Sequence, residues 1–257
     1  MTSRWESGSA RRSADRLFAA VRPGRQRDAA GIRDRLCACL LRRETVNVCP
    51  DPDPAFATDP GTWAYYDRRA WEYDEWYTGE GVFARRDRPG WNDEVAGVVE
   101  LTGRLPAACT LDVACGTGFL TGQLRGFVVG IDQSPAMVAI AQARLPDGLA
   151  IVGDALRLAF ADRAFDRVFT GHFYGHLSPQ ERRSFLAEAR RVAGELVVVD
   201  SALRPGVRPE QWQERILNDG SRHRVYKRYF TGEQLAQELE GEKLFEGTWF
   251  VAARTSW

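Results

Sequence analysis

The stretch Leu111-Asp112-Val113-Ala114-Cys115-Gly116-Thr117-Gly118-Phe119, followed by Val128-Val129-Gly130-Ile131-Asp132, decides the fold. It reads as a buried strand, a glycine turn, a helix start and a second strand ending in an acid. That order builds a nucleotide-binding crevice at the carboxyl ends of parallel strands. Gly116 and Gly118 lack a Cβ, so the chain can turn sharply and approach a ligand. Asp132 can accept hydrogen bonds from two ribose hydroxyls. A dinucleotide site wants a third glycine and an acid about 20 residues further on. Here Thr121 takes the third glycine position and Asp132 follows Gly118 by 14 residues, which disfavours a nicotinamide dehydrogenase.

Working outward, strands are expected over 110–114, 127–131, 149–153, 165–170 and 195–200, with helices over 118–125, 135–145 and 179–192 between them. Such alternation implies a parallel sheet with helices on both faces. Ser134-Pro135 and Ser178-Pro179-Gln180-Glu181 each offer an N-cap followed by proline at the first helical position. Further on, the pattern predicts a helix near Glu210–Asn218, a strand over Arg222–Phe230, a helix over Thr231–Leu239 and a strand over Thr248–Ala253. Upstream, Glu94–Thr102 reads as an amphipathic helix, preceded by an aromatic helix and turn with Tyr65, Tyr66, Trp71, Tyr73, Trp76 and Tyr77. The fold class is α/β, a doubly wound, Rossmann-like, mostly parallel seven-stranded sheet with an antiparallel C-terminal strand.

Asp112, Cys115-Gly116-Thr117-Gly118 and Gly130-Ile131-Asp132-Gln133-Ser134-Pro135-Ala136-Met137 together resemble the class I S-adenosylmethionine-dependent methyltransferases. The likeness is to their small-molecule branch, which includes ubiquinone and menaquinone methyltransferases, and it extends over roughly Thr62 to Arg254. The resemblance implies S-adenosyl-L-methionine as cofactor and methyl transfer to a small-molecule acceptor. The alternative is a non-catalytic or regulatory protein that retains the cofactor fold. By the same resemblance Asp112 orders the methionine end, Gly116 and Gly118 cradle the ligand, Asp132 holds the ribose and Gln133 reaches towards the adenine. Asp154 and Ala155 read the adenine ring, and His172 or Phe173, at the end of the fourth strand beside the sulfonium, lines the cofactor.

Tyr65, Tyr66 and Tyr73 occupy the place where related enzymes fold a helix over the cofactor, and Tyr65 and Tyr73 are expected to touch it. Cation–π attraction to a sulfonium of order 0.5–2 kcal/mol would favour that placement, and core packing of an amphipathic helix is the alternative. His172 and His176, after the fourth strand, are the candidate general bases, because an imidazole near neutral pKa suits the role. Tyr174 is a further candidate for lining the pocket. His223, Arg224, Tyr226, Lys227 and Arg228, together with Arg215, either receive an acidic substrate or blunt an exposed edge strand with charge.

Composition narrows the classes. Hydrophobic residues make up 44% and charged residues 27%, as in a globular protein. Net charge is zero, which gives no argument for nucleic acid. Residues 1–44 nevertheless hold eleven arginines against five acids, leaving the remainder mildly acidic. No apolar run approaches the ~18 residues of a membrane span. Cys37, Cys39, Cys49, Cys109 and Cys115 show no zinc spacing, so no metal is expected. A reducing cytoplasm is the expected compartment, and a monomer or homodimer the expected state. Residues 1–58 are expected to be a disordered extension ahead of a methyltransferase domain at 59–257. A basic tail, a transit peptide and a start placed too far upstream are its three readings.

Overall fold

Thr110, Leu111, Asp112 and Val113 are four consecutive buried side chains, which a strand achieves only when both its faces are covered. The structure is a computed structural model that describes residues 59–257. The expected extension at 1–58 lies outside the described residues. Helices α1 (Pro60–Arg69), α2 (Glu75–Thr78) and α3 (Trp91–Arg104) precede β1 (Ala108–Val113). Then come β2 (Gly126–Asp132), α4 (Pro135–Arg144), β3 (Leu149–Val152), β4 (Arg167–Gly171), α5 (Pro179–Val192) and β5 (Glu195–Ser201). The chain closes with β6 (Glu210–Ile216), β7 (Arg222–Arg228), α6 (Gly232–Glu238), β8 (Glu242–Glu246) and β9 (Phe250–Ser256).

The main sheet has seven strands in the order β3-β2-β1-β4-β5-β9-β8. Strands β1 to β5 are parallel, and β9 runs antiparallel to both β5 and β8. The order reverses between β1 and β4, so their carboxyl ends open a crevice at a topological switch point. Both serine caps form: Ser134 Oγ accepts from the Met137 N–H at 3.1 Å, and Ser178 makes a reciprocal capping box with Glu181.

Four elements depart from the expectation. No helix forms over 118–125; the segment holds only a 3-10 turn at Thr121–Gln123. Gly118 and Gly122 are weak helix formers, and Leu124 already turns extended to reach β2. The expected helix at Glu210–Asn218 is strand β6. Its burial alternates strictly, with Gln211, Gln213 and Arg215 half-buried and Glu210, Trp212, Glu214 and Ile216 exposed. The Arg222–Phe230 strand is present as β7, but it pairs with β6 in a separate two-stranded ribbon. The seventh strand of the main sheet is β8, whose Glu242, Lys243 and Glu246 disguise it as a loop and protect it as an edge.

Glu94 of α3 ties the end of the chain to the helical layer. Its carboxylate accepts from the backbone N–H groups of Thr248 at 2.7 Å, Trp249 at 2.8 Å and Phe250 at 3.2 Å. These bonds to a charged acceptor fix the entry into β9. Glu94→Ala is expected to lower unfolding free energy by about 1–3 kcal/mol. Urea denaturation measures it, and an unchanged midpoint would show that water replaces the three bonds without cost.

Candidate active site

The residues that follow the parallel strands line one cavity. Ala114 and Gly116 come from the turn after β1, and Asp132, Gln133 and Ser134 from the end of β2. Gly153 and Ala155 follow β3, and Gly171, His172 and Phe173 end and follow β4. Thr62, Trp63 and Tyr66 of α1, with Tyr73 beyond it, complete the wall. Helix α1 is anchored across this cavity, because Trp63 Nε1 donates to the Gln133 carbonyl at 3.3 Å and Ser134 Oγ donates to Asp67 Oδ1 at 2.6 Å.

Gly116 has φ +55°, and a Cβ there would come within 3.6 Å of the Tyr73 ring. Gly118 serves the other side of the turn. At φ +80° it packs against α4, where a Cβ would come within 3.2 Å of the Ala141 backbone. Two cavity residues adopt positive φ without being glycine, Ala114 at +58° and His172 at +62°. Such backbone strain concentrates at functional sites.

Asp132 accepts from the Gly116 N–H through Oδ2 and from the Ser134 N–H through Oδ1, both at 2.9 Å. Burial raises its carboxyl above the ordinary range, and these backbone donors oppose the shift. A carboxylate oxygen has further lone pairs, so Asp132 retains acceptor capacity towards the cavity. Asp112 lies deeper, 2% exposed, and lines a small adjoining cavity with Tyr73, Tyr77, Cys115, Phe119 and Gly171. Its Oδ2 accepts from Thr121 Oγ1 at 2.5 Å, while Oδ1 has no partner. Burial pushes its pKa up to about 8 against the lowering bond from Thr121, and nearby Asp132 adds to the rise.

A second, larger cavity of about 630 Å³ adjoins the first. Tyr66, Tyr73, His172 and His176 line both. His176 Nδ1 lies 2.6 Å from the Tyr226 carbonyl, and a carbonyl only accepts, so Nδ1 carries the proton. Nε2 then accepts from Tyr66 Oη at 2.8 Å. Burial, reinforced by Lys227, pulls His176 well below the ordinary histidine range. His172 has no partner on either ring nitrogen and packs edge-on against Trp76 at 4.7 Å and Phe250 at 5.4 Å. Burial pulls its pKa down to about 3; Asp200 opposes the shift and Lys227 adds to it.

Most of the residues singled out in the sequence converge here: Gly116, Asp132, Gln133, Ala155, Phe173, Tyr73, His172 and His176 share the first cavity. Tyr65 requires correction. It is 2% exposed, packs against Leu217 and Val225, accepts from Arg69 Nη1 at 2.8 Å and lines neither cavity. Its neighbour Tyr66, turned by one helical step, supplies the ring that does. Asp154 also stands outside the lining, where its Oδ1 caps the next turn by accepting from the Leu156 N–H at 2.8 Å. Tyr174 is fully buried behind the cavities and bonds to Glu238 at 2.9 Å.

Of the basic-aromatic strand only Lys227 faces the larger cavity, joined there by Arg215 of β6. Arg228 pairs with Glu210 and Glu238, Arg224 stacks on Trp212, and His223 packs on Tyr65. Sequence reasoning missed Trp63, Ala114 and the arginines 69, 86, 88 and 204 of the second cavity. An abundance of arginine throughout the chain masked the last group. Among the described residues no cluster of acidic, histidine or cysteine side chains could hold a metal, and no helix is long and apolar enough to cross a membrane.

Residues 111–195 match the methyltransferase domain family. Demethylmenaquinone methyltransferase of Thermotoga maritima is 39% identical over 111 residues, 40% of this chain and 48% of that protein. Its counterpart from Renibacterium salmoninarum is 38% identical over 109 residues, 40% of this chain and 45% of that one. The chain thus spans about half the length of the curated relatives it matches. Among solved structures, the DhpI-SAM-HEP complex superposes with a TM-score of 0.61 at 23% identity, covering 76% of this chain and 95% of that one. A DhpI-SAH complex gives 0.58 at 24%, covering 76% and 94%. Over residues 111–195 the chain is similar to the methyltransferase domain family, and its fold is the Rossmann-like fold of these solved structures.

Because Asp112 holds a proton in the folded protein that the unfolded chain releases above about pH 4, its contribution to stability falls as pH rises from about 4 towards 8. Asp112→Asn removes that dependence. Relative to the parent, the variant is expected to gain up to about 1.4 kcal/mol per pH unit between pH 6 and 8. Urea titrations at the two pH values measure the difference, and parallel curves would show that Asp112 ionises normally.

Proposed function

We propose that this protein transfers a methyl group from S-adenosylmethionine to a small-molecule acceptor held in the larger cavity. The observation that carries this reading is the wall common to the two cavities. Tyr66, Tyr73, His172 and His176 touch both, so a ligand in one lies no more than a side chain's thickness from a ligand in the other.

The residues of the first cavity suit the cofactor. The partnerless Oδ1 of Asp112 would meet an ammonium group, whose charge would displace the proton that burial otherwise keeps on this carboxyl. The space left by Gly116 is the approach a ligand needs. Asp132 would take the ribose hydroxyls, Gln133 and Ala155 the adenine side, and Tyr73 and Phe173 the region of the sulfonium. Gly118 would act through the turn, by seating it on α4. Asp154 would act by fixing the backbone of the loop that presents Ala155. The cofactor supplies an electrophilic methyl group on a positively charged sulfur.

The chain's own part is alignment and exclusion of water, which supply most of the acceleration for an in-line displacement. His172 and His176 are the proposed catalytic histidines. His172 is neutral near pH 7 and offers one donor and one acceptor nitrogen to the reacting group of the acceptor. Tyr66 already gives its proton towards His176 Nε2, so the remaining lone pair of its oxygen can accept a hydrogen bond from the acceptor. Burial raises the Tyr66 hydroxyl above its ordinary range, with Tyr65 and Tyr73 adding to the rise, so it keeps its proton between turnovers.

S-adenosylhomocysteine at about a hundredfold its Kd is expected to stabilise the fold by about 2.7 kcal/mol, and NADH is not. Asp132→Ala should weaken that binding by roughly 1.5–3 kcal/mol while the protein stays folded. Thermal shift and calorimetry read both. With methyl-labelled cofactor and pooled small molecules, label should move into an organic product, and Tyr66→Phe should slow it. Stabilisation by NADH alone would overturn the reading, and cofactor binding without any transfer would reduce the protein to a binder.

A further inference from the structure

We infer that the acceptor is an oxyanion, a small molecule carrying a phosphate, phosphonate or carboxylate group, and that Arg69, Arg86 and Arg215 receive that group. The inference rests on the methyl-transfer reading for the word acceptor; the anion site itself stands on the cavity alone. Arg69, Arg86, Arg88, Arg204, Arg215 and Lys227 all line the larger cavity. Lys227 is neutralised by Asp200 at 2.5 Å. The five arginines have no carboxylate partner among the described residues. The acids on the same wall are Asp87 and Glu214, and Glu214 is engaged by Arg222.

Two of these guanidinium groups hold buried, unsatisfied nitrogens. Arg69 is 6% exposed, and its Nη2 has no hydrogen-bond partner. Arg215 Nε is likewise buried without one. A buried cation without an anion is costly, and a protein keeps one where a ligand completes it. Mutual repulsion points the same way. Burial lowers the pKa of Arg86, and Arg215 and Arg69 lower it further. Three cations so placed lose that repulsion when an anion arrives between them.

The aromatic walls fix the forks. The Arg69 guanidinium lies 4.8 Å from the Tyr73 ring centre, that of Arg86 4.7 Å from Phe83, and that of Arg88 3.8 Å from Trp91. These contacts hold the guanidinium groups against aromatic rings; Arg69 Nη1 is taken by Tyr65 and Arg88 Nη1 by the Trp76 carbonyl, which leaves Arg69 Nη2 and Arg215 Nε as buried donors for an oxyanion. Tyr73 also lines the first cavity, so an anion beside Arg69 lies next to the methyl-donor site. The cavity volume, about 630 Å³, is that of a small-molecule site.

The test titrates inorganic phosphate, methylphosphonate and malonate into the full chain at constant ionic strength in chloride, with and without S-adenosylhomocysteine. At least one anion should bind with millimolar or lower Kd. That affinity should fall at least tenfold in Arg215→Gln and in Arg86→Gln, while S-adenosylhomocysteine binding changes less than twofold. Binding of the phosphorus oxyanions alone would assign a phosphate or phosphonate acceptor, and of malonate alone a carboxylate. No binding above chloride, unchanged affinity in both variants, or capture of a single-stranded oligonucleotide in place of the small anions would overturn the inference. Anion binding in a protein that ignores S-adenosylhomocysteine would uphold the anion site and overturn the methyl-transfer reading instead.

Discussion

Asp200 stands fully buried at the end of β5, and its carboxylate accepts from three directions. The Gly175 N–H donates at 2.7 Å, the Ser201 N–H at 2.6 Å and the Lys227 ammonium at 2.5 Å. One side chain thereby joins the main sheet, the loop carrying His172 and His176, and the β6–β7 ribbon. Among the described residues the ribbon's strands pair only with each other, and Ala202 and Phe230 form an isolated bridge beside them. Removing one member of a buried pair leaves a charge uncompensated, at a cost of about 3–5 kcal/mol. With the His176–Tyr226 and Arg228–Glu238 contacts, this joint fixes the ribbon whose Gln213, Arg215 and Lys227 line the second cavity.

Burial sets the character of the histidines, and Lys227 of this joint adds to it. They are buried beside a cation, so both stay neutral at physiological pH. A site of that kind stores protons poorly and positions groups well. Its hydrogen bonds have fixed senses: His176 donates to the Tyr226 carbonyl and accepts from Tyr66.

How much of this could be read beforehand depends on what each residue type reports. The glycine turn, the acid ending β2 and the proline-initiated helices were legible because backbone geometry dictates their residues. The five parallel strands were legible because covering both faces demands continuous apolar runs. Strand β6 was not, because its half-buried face of Gln211, Gln213 and Arg215 is polar, with Gln213 and Arg215 lining a cavity, which erases the hydrophobic alternation. Strand β8 hid behind its edge charges. Tyr65 and Tyr66 are adjacent in sequence, and only the seating of α1 decides which faces the site. The arginine cluster gathers residues from α1, the segment before α3, the segment after β5 and strand β6, so no spacing within the chain could have announced it.

In the proposed arrangement two ligand sites, one for the methyl donor and one for the acceptor, share Tyr66, Tyr73, His172 and His176. A crystal structure of the full chain with S-adenosylhomocysteine tests it most directly. The account predicts ribose hydroxyls on Asp132, the amino group at Asp112, and the sulfur facing the arginine-lined cavity. A ligand bound elsewhere, or a sulfur sealed off from that cavity by protein, would contradict it.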